Sequence, residues 1–207
     1  MRRLTKPGGR PLIAFRQLRG QAASRGGMLI EVMVSIVISA VALLALAGVN
    51  ASALRYTKMS QYRATATLLA NDIGERMRVN KGKPAVDVVV AEGFFAGYYD
   101  YSEDFAAQDT NPTLPAELCN TTASSCTTQQ IAQLDLLQWR LQVRTQLPEG
   151  SVFVSRQVGA NAADVWLAWR DPAVASDGGP ALAQECPDGL NLGDDKSVRC
   201  SYFRINL

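Results

Sequence analysis

The chain is 207 residues long, with 47% hydrophobic residues, 21 basic and 19 acidic side chains, and no histidine. This length allows one domain of ordinary size together with an apolar segment. Without histidine, the chain lacks the general base of Ser-His and Cys-His catalytic pairs and the imidazole ligands of many zinc sites. The sequence also contains no serine nucleophile elbow and no clustered metal ligands. These features argue against an enzyme, a metal site or a bound cofactor.

The first segment, residues 1–26, carries a strong excess of positive charge. It has no acidic residue and seven basic ones: Arg2, Arg3, Lys6, Arg10, Arg16, Arg19 and Arg25. The rest of the chain carries the other 14 basic and all 19 acidic side chains. This asymmetry is typical of a cytoplasmic basic leader followed by a translocated domain. It does not indicate nucleic-acid binding, because the basic residues lie in the segment that processing would remove. A disordered basic tail is the alternative.

A long apolar segment follows the leader. Residues 32–54 contain 23 residues without a formal charge, enough for a helix to cross a hydrocarbon layer of ~30 Å. One carboxylate, Glu31, precedes the segment directly, and an ordinary membrane anchor does not need it. A secretory signal cut after Ala47 is one alternative, since Ala-Leu-Ala at residues 45–47 is an acceptable cleavage site. Such a cut would release a soluble domain that starts at Gly48.

The sequence predicts that the apolar segment belongs to one helix from about residue 28 to residue 80, because no proline lies between residues 11 and 84. In its second half, apolar residues recur at helical spacing on one side: Met59, Tyr62, Ala66, Leu69, Ile73 and Met77. This pattern is typical of a half-buried helix that packs on a globular domain. The sequence Asn-Lys-Gly-Lys-Pro at residues 80–84 predicts the end of the helix.

The middle of the chain is less regular. Residues 86–90 are predicted to form a short strand or a helical turn, and residues 108–126 a loop. Thr127 and Gln130 have the spacing of a capping box. They predict a second helix that ends at about residue 147, just before the sequence Pro-Glu-Gly.

Three strands are predicted near the C-terminus, at residues 151–157, 163–170 and 198–206, with a turn at residues 159–161. Their short connections favour an antiparallel sheet, which needs a cover for its apolar face. The second half of the long helix is the predicted cover. The fold class is therefore α+β: a long N-terminal helix, membrane-spanning in its first half, packed on a small antiparallel sheet with a second helix.

The four cysteines, Cys119, Cys126, Cys186 and Cys200, all lie in the part predicted to be exported. An even number of cysteines in an exported domain indicates disulfides formed in an oxidising compartment. Three pairings are possible. We favour the local one, Cys119–Cys126 with Cys186–Cys200, because each pair brackets a loop rich in Gly, Ser or Thr. A zinc site is the alternative, and the lack of histidine and of a close Cys-x-x-Cys pair disfavours it.

Residues 26–31, Gly-Gly-Met-Leu-Ile-Glu, resemble the cleavage and methylation site of type IV prepilins, normally Gly followed by Phe-Thr-Leu-Ile-Glu. The resemblance implies that a prepilin peptidase cuts after Gly26 and that Gly27 becomes the N-methylated first residue. It also implies that Glu31, at the fifth mature position, pairs with the N-terminal amine of a neighbouring subunit. Gly27 stands where the family usually has Phe. A cut after Gly27 is the alternative, and it would place the acid at position four.

Two later motifs resemble minor pilins of the PilV kind. One is Ala-Asn-Asp-Ile-Gly-Glu-Arg-Met-Arg at residues 70–78. The other is Asp-Leu-Leu-Gln-Trp at residues 135–139, followed by Leu-Pro-Glu-Gly at residues 147–150 and preceded by a paired-cysteine loop. The resemblance implies a pilin fold, in which the second half of the long helix supports a globular head.

This resemblance implies a division into a cleaved leader (1–26), a hydrophobic transmembrane and assembly helix (27–54) and a periplasmic α+β head domain (55–207). The chain would be a structural subunit that primes pilus assembly, sits in the tip complex and supports twitching motility and adhesion. It would start as a single-pass protein of the bacterial inner membrane and end in the pilus on the cell surface. Its implied partners are the prepilin peptidase, other minor and major pilins, the inner-membrane assembly platform and a large tip adhesin.

One further alternative shares the N-terminal motif and the long helix. A minor pseudopilin of a type II secretion system would have both features. The motif at residues 70–78 and the tryptophan-containing second helix favour the pilus.

Overall fold

The computed structural model describes residues 25–86, 90–115, 119, 124–171, 186–193 and 195–207. The described residues form two helices and three strands in chain order: α1 (Arg25–Val79), α2 (Thr128–Gln146), β1 (Ser151–Gln157), β2 (Ala162–Arg170) and β3 (Val198–Asn206). Short 3₁₀ turns lie at Gly93–Ala96, Ala106–Gln108 and Asp188–Leu190. The chain divides into two compact units, Met1–Asn50 and Ala51–Leu207. The predicted α+β class is confirmed.

Helix α1 is one continuous helix of 55 residues. By length and composition it can cross a membrane, with a mean hydropathy of 2.7 in its most apolar window. Every side chain from residue 29 to residue 58 is exposed in the chain. The first half of α1 is therefore an apolar helix that the chain itself does not cover.

The second half of α1 belongs to the C-terminal unit and has one buried side, formed by Ala66, Leu69, Ala70, Ile73 and Met77. These residues include four of the six that the sequence placed on one side of the helix, and the other two, Met59 and Tyr62, are partly exposed. The buried side belongs to one apolar cluster with α2 and the sheet. The predicted packing of this half of α1 on the sheet is confirmed.

Helix α2 starts at the predicted capping box. The Thr127 hydroxyl accepts a hydrogen bond from the backbone N–H of Gln130, at 3.2 Å. In return, the Gln130 side chain accepts one from the backbone N–H of Thr127, at 2.9 Å. The helix buries Leu134, Leu136, Trp139 and Val143 among its apolar side chains. The cap satisfies backbone donors that helix starts leave free, so α2 begins where the sequence predicted.

The three strands form an antiparallel sheet in the order β1-β2-β3. Its register aligns Phe153 with Trp166 and Trp166 with Tyr202. Side chains of successive residues point to opposite faces. One face packs on the helices and the main core. The other carries a second cluster of Ala168, Leu190, Val198 and Cys200.

Two disulfides are present, and they join Cys119 to Cys126 and Cys186 to Cys200. These are the two local pairs favoured from the sequence. The second bond attaches the segment that contains the turn Asp188–Leu190 to β3, next to the second apolar cluster. The bond therefore holds this segment over the sheet face that carries the second cluster.

Small differences from the sequence prediction concern element ends. Helix α1 starts at Arg25 rather than near residue 28, and β2 starts at Ala162 rather than at residue 163. The short element predicted at residues 86–90 includes residues 87–89, which lie outside the described residues. So do residues 116–118 and 120–123 of the predicted loop.

Candidate functional site

The predicted processing site lies at the start of α1. The backbone at Gly26 and Gly27 is helical. Glu31 lies more than one turn further along, with its side chain exposed. Among the described residues, no hydrogen bond or ion pair engages the Glu31 carboxylate. Its exposed side chain can be reached from outside the chain.

The hydroxyl groups that follow Glu31 are satisfied inside the helix. Ser35 donates to the backbone carbonyl of Glu31 at 2.7 Å, and Ser39 donates to that of Ser35 at 2.8 Å. A hydroxyl bonded to the preceding turn needs no water, which suits an apolar environment. The Glu31 carboxylate has no such partner within the described part of the chain, so it differs from these two hydroxyl groups.

In the C-terminal unit, the two helix motifs contact each other through Arg76. Its guanidinium bonds Asp72 one turn earlier on α1, at 3.1 Å. It also reaches α2, where it bonds Asp135 at 3.1 Å and Gln138 at 3.0 Å. Residues 70–78 and 135–139, separated by about 60 positions, thus form one polar cluster. The motifs have a common structural role, which is to join α1 to α2.

Tyr99, in the segment between α1 and α2, is also part of this polar cluster. Its side chain is 1% exposed, and its hydroxyl donates to Asp135 at 2.7 Å. Asn80, at the end of α1, donates to the Tyr99 oxygen at 3.2 Å and to the Thr128 carbonyl at 2.7 Å. Burial, followed by the hydrogen bond to Asp135, raises the pKa of Tyr99 above its ordinary range. Tyr99 is therefore a neutral donor at physiological pH.

Two further contacts hold the second half of α1 in the C-terminal unit, one with α2 and one with β3. The buried indole N–H of Trp139 donates to the backbone carbonyl of Leu69 at 2.8 Å, which ties α2 to the middle of α1. Gly74 of α1 lies against β3, and a Cβ there would come within 3.2 Å of the Ile205 side chain. A glycine at this position permits the close approach of helix and strand.

Sequence reasoning identified the two motifs but not Tyr99, Asn80 or Gln108. Residues 93–101 contain five aromatic side chains, including Tyr99, and this enrichment was the available signal. Gln108 is 3% exposed and bonds both backbone groups of Val152 on β1, at 2.9 and 3.0 Å. A single glutamine in a predicted loop gives no sequence signal for that contact.

A charged cleft of about 400 Å³ lies where α2, β2 and the segment before β3 meet. Arg170 bonds Glu149 at 2.7 Å and Asp195 at 2.8 Å there. The hydroxyl of Ser197, together with Arg170, holds the pKa of Asp195 below its ordinary value. Its other arginine, Arg144, pairs with Asp109, so each charged side chain that lines the cleft has a partner of opposite charge.

The sequence contains two adjacent acidic pairs, Glu103 with Asp104 and Asp194 with Asp195, and neither forms a metal site in the described part of the chain. Glu103 engages Gln108 through its backbone carbonyl at 2.9 Å, and Asp104 approaches Asn191 at 3.5 Å. Asp194 lies outside the described residues. Within them, no group of three or more His, Cys, Asp or Glu side chains could hold a metal ion.

The chain matches no known protein in three comparisons. They were made with protein-family models, with curated proteins and with solved structures. Two features of the molecule therefore bear on its function. One is the apolar first half of α1 with Glu31 at its start, and the other is the contact between the motifs at residues 70–78 and 135–139.

Proposed function

We propose that this protein is a minor type IV pilin, a structural subunit that primes pilus assembly and sits in the tip complex. One observation carries the proposal. An uncharged, fully exposed stretch of α1 runs from residue 32 to residue 54. One carboxylate, Glu31, lies at its start without a partner among the residues that the structure describes. The Gly-Gly sequence of residues 26–27 and the basic leader before it have the spacing of a prepilin processing site.

The exposed half of α1 requires a cover in each environment that the protein occupies. About 25 cal/mol favours the transfer of each Å² of apolar surface out of water. In the inner membrane, lipid covers the helix. In the pilus, the helices of other subunits replace lipid. The same apolar surface then contacts lipid before assembly and the helices of other subunits after it.

The Glu31 carboxylate favours the helix packed against another subunit over the helix in lipid. A carboxylate that enters an apolar environment without a partner costs a few kcal/mol. Cleavage after Gly26 creates a new amine at Gly27, and the amine of one subunit can neutralise the Glu31 carboxylate of its neighbour. The pair removes both charges and fixes the axial position of one helix against the next.

The C-terminal unit supplies the surface that other subunits contact. Its disulfides indicate an oxidising compartment such as the periplasm, and the basic leader places the N-terminus in the cytoplasm before cleavage. The proposed partners are the prepilin peptidase, other minor and major pilins, the inner-membrane assembly platform and a large tip adhesin. The resulting pilus would support adhesion and twitching motility.

The first test is the mature N-terminus of the chain, measured by mass spectrometry of the protein extracted from membranes. The expected N-terminal residue is Gly27 with one added methyl group. A chain that starts at Gly48 would show ordinary secretory cleavage and would refute the proposal. A chain that starts at Met28 would retain the pilin assignment but place the acid at position four.

The second test compares cells that lack the gene with cells that carry Glu31→Ala or the matched control Ser35→Ala. The deletion and Glu31→Ala are expected to remove surface pili and twitching, while the Glu31→Ala chain still accumulates in the membrane. Ser35→Ala, one turn away on the same side of the helix, should keep both. Loss of protein secretion with intact pili would instead identify a type II pseudopilin.

A further inference from the structure

A group of positive charges lies directly after the apolar half of α1. Residues 32–71 contain no acidic side chain and three basic ones, Arg55, Lys58 and Arg63. All three side chains are exposed. We call these three residues the basic flank. It begins directly where the uncharged stretch of the helix ends, at Leu54.

The described part of the chain does not neutralise this charge. Within it, no ion pair engages Lys58 or Arg63. The next acid along α1, Asp72, is bonded by Arg76 at 3.1 Å, and it lies about 13 Å from Arg63 along the helix axis. The first residue of α1 that the structure describes as buried is Ala66. The basic flank therefore lies before the buried part of α1 and presents positive charge at the surface.

Positive charge at this place opposes export of the C-terminal unit. Basic residues within about 15–20 residues of a membrane segment favour the cytoplasmic side. The seven basic residues of the leader outnumber the three of the basic flank, so the leader determines the orientation. Lys58 and Arg63 thus carry a cost during insertion that no described side-chain contact offsets. A contact outside the chain would account for them.

The position of the basic flank fits the headgroup layer of a bilayer. If residues 32–54 fill the hydrocarbon core, polar headgroups occupy about the next 5–8 Å. Arg55 and Lys58 lie within about 6 Å of Leu54 along the helix axis, at about 1.5 Å per residue. Arg63 lies about 14 Å away, but helical side chains lean toward the N-terminus, which is the membrane side here. Its long side chain can therefore carry the charge toward the headgroups.

An exposed aromatic side chain lies at the same level of the helix. Tyr56 is 71% exposed, and it lies two helical turns before Arg63 on the same side of α1. Tyrosine is enriched where hydrocarbon meets headgroups, because its ring is apolar and its hydroxyl is polar. An acidic protein surface would account for the charge of the basic flank. It would not account for an exposed tyrosine directly at the end of an uncharged stretch, so the pattern favours lipid.

We propose that the basic flank binds the headgroups of anionic phospholipids, such as phosphatidylglycerol, on the exported side of the membrane. Each basic residue near an anionic surface strengthens binding by about fivefold. The contact fixes the depth of the helix in the bilayer, with Leu54 at the hydrocarbon boundary. The inference rests on the part of the proposed function that places residues 32–54 in a membrane. It applies to a pilin and to a pseudopilin alike.

Native mass spectrometry of the chain isolated from membranes tests the proposal. The protein is kept in mild detergent, and phosphatidylglycerol or phosphatidylcholine is added stepwise at equal concentrations. Both lipids carry a phosphate, but only phosphatidylglycerol has a net negative charge. The wild-type chain is expected to bind phosphatidylglycerol in preference to phosphatidylcholine. Inorganic phosphate at the same ionic strength should not displace the lipid, which distinguishes a lipid headgroup from a free phosphate ion.

Paired substitutions separate the basic flank from the other positive charges of the chain. Lys58→Gln with Arg63→Gln should lower the preference for phosphatidylglycerol by about five- to twentyfold. The matched control, Lys83→Gln with Lys196→Gln, removes two exposed positive charges elsewhere in the C-terminal unit and should leave the preference unchanged. Lys58→Arg with Arg63→Lys keeps both charges and should also keep the preference. Tryptophan fluorescence checks that each variant has a folded C-terminal unit.

Equal preference in the wild type and in Lys58→Gln with Arg63→Gln, or an equal loss in the matched control, would overturn the inference. Displacement of the lipid by inorganic phosphate, or no preference in the wild type, would overturn it as well. The same spectra give the mass of the mature chain. A chain that starts at Gly48 would refute the proposed function, whereas a chain that starts at Gly27 and shows no lipid preference would overturn this inference alone.

Discussion

Replacement of Asp135 by alanine should weaken the junction between α1 and α2 more than the same replacement of an exposed acid. The Asp135 carboxylate accepts two hydrogen bonds, one from Arg76 at 3.1 Å and one from Tyr99 at 2.7 Å. Both partners belong to other parts of the fold. The substitution therefore removes a contact on which three segments converge.

The magnitude follows from the exposure of the three groups. The Arg76 and Asp135 side chains are 21% and 17% exposed, so their ion pair is partly shielded and worth about 1 kcal/mol. The Tyr99 hydroxyl is buried and loses a charged acceptor, which costs about 1.5–3 kcal/mol. We expect Asp135→Ala to lower the free energy of unfolding by about 3 kcal/mol. Asp135→Asn, which keeps an acceptor for Tyr99, should cost about half as much.

Urea unfolding of the full chain in detergent measures this change. Tryptophan fluorescence reports on the C-terminal unit, because all three tryptophans lie there. Glu75→Ala is the matched control on α1: its partner is Arg78, and its side chain is 70% exposed, so the expected cost is below about 0.5 kcal/mol. In a double-mutant cycle, Asp135→Ala and Tyr99→Phe should couple by about 1–2 kcal/mol. Equal losses for Asp135→Ala and Glu75→Ala, or no coupling, would refute the reasoning.

Three more predictions concern single side chains, each measured by urea unfolding. Gly74→Leu should cost about 1–3 kcal/mol by overpacking against Ile205, and Ile205→Ala should recover part of it; additive losses would contradict this. Gln108→Ala should cost about 2–3 kcal/mol and speed amide exchange at Val152, since both backbone groups lose a buried partner; unchanged exchange would argue against it. Because the pKa of Tyr99 is raised in the folded state, its contribution is complete below pH ~10 and falls at higher pH. Tyr99→Phe should flatten that fall, and an unchanged slope would contradict the assignment.

The elements of the fold were largely predictable because their signals are local. The capping box of Thr127 and Gln130 sets the start of α2 within four residues of sequence. The limits of β1 and β3 match the predicted ranges, since alternation and the flanking turns are visible in short windows. The buried side of α1 was visible as a helical repeat of apolar residues.

The contacts of the junction were not predictable, because their partners are far apart in the chain. Arg76 meets Asp135 across 59 positions, and Gln108 meets Val152 across 44. A residue's hydrogen-bonding capacity says nothing about which distant group will satisfy it. The two helix motifs, at residues 70–78 and 135–139, were recognised as short sequence patterns. Only the structure showed that they contact each other.

The sequence by itself predicted the apolar first half of α1, with Glu31 at its start, and the order of the secondary structure elements. Each depends on neighbours within a few turns of chain. Only the tertiary structure decided that Gln108 bonds both backbone groups of Val152 on β1, and that Arg76, Tyr99 and Asp135 form one cluster. The physical reason is that packing selects long-range partners by shape, burial and charge together, and that selection exists only once the sheet and the helices have come into contact.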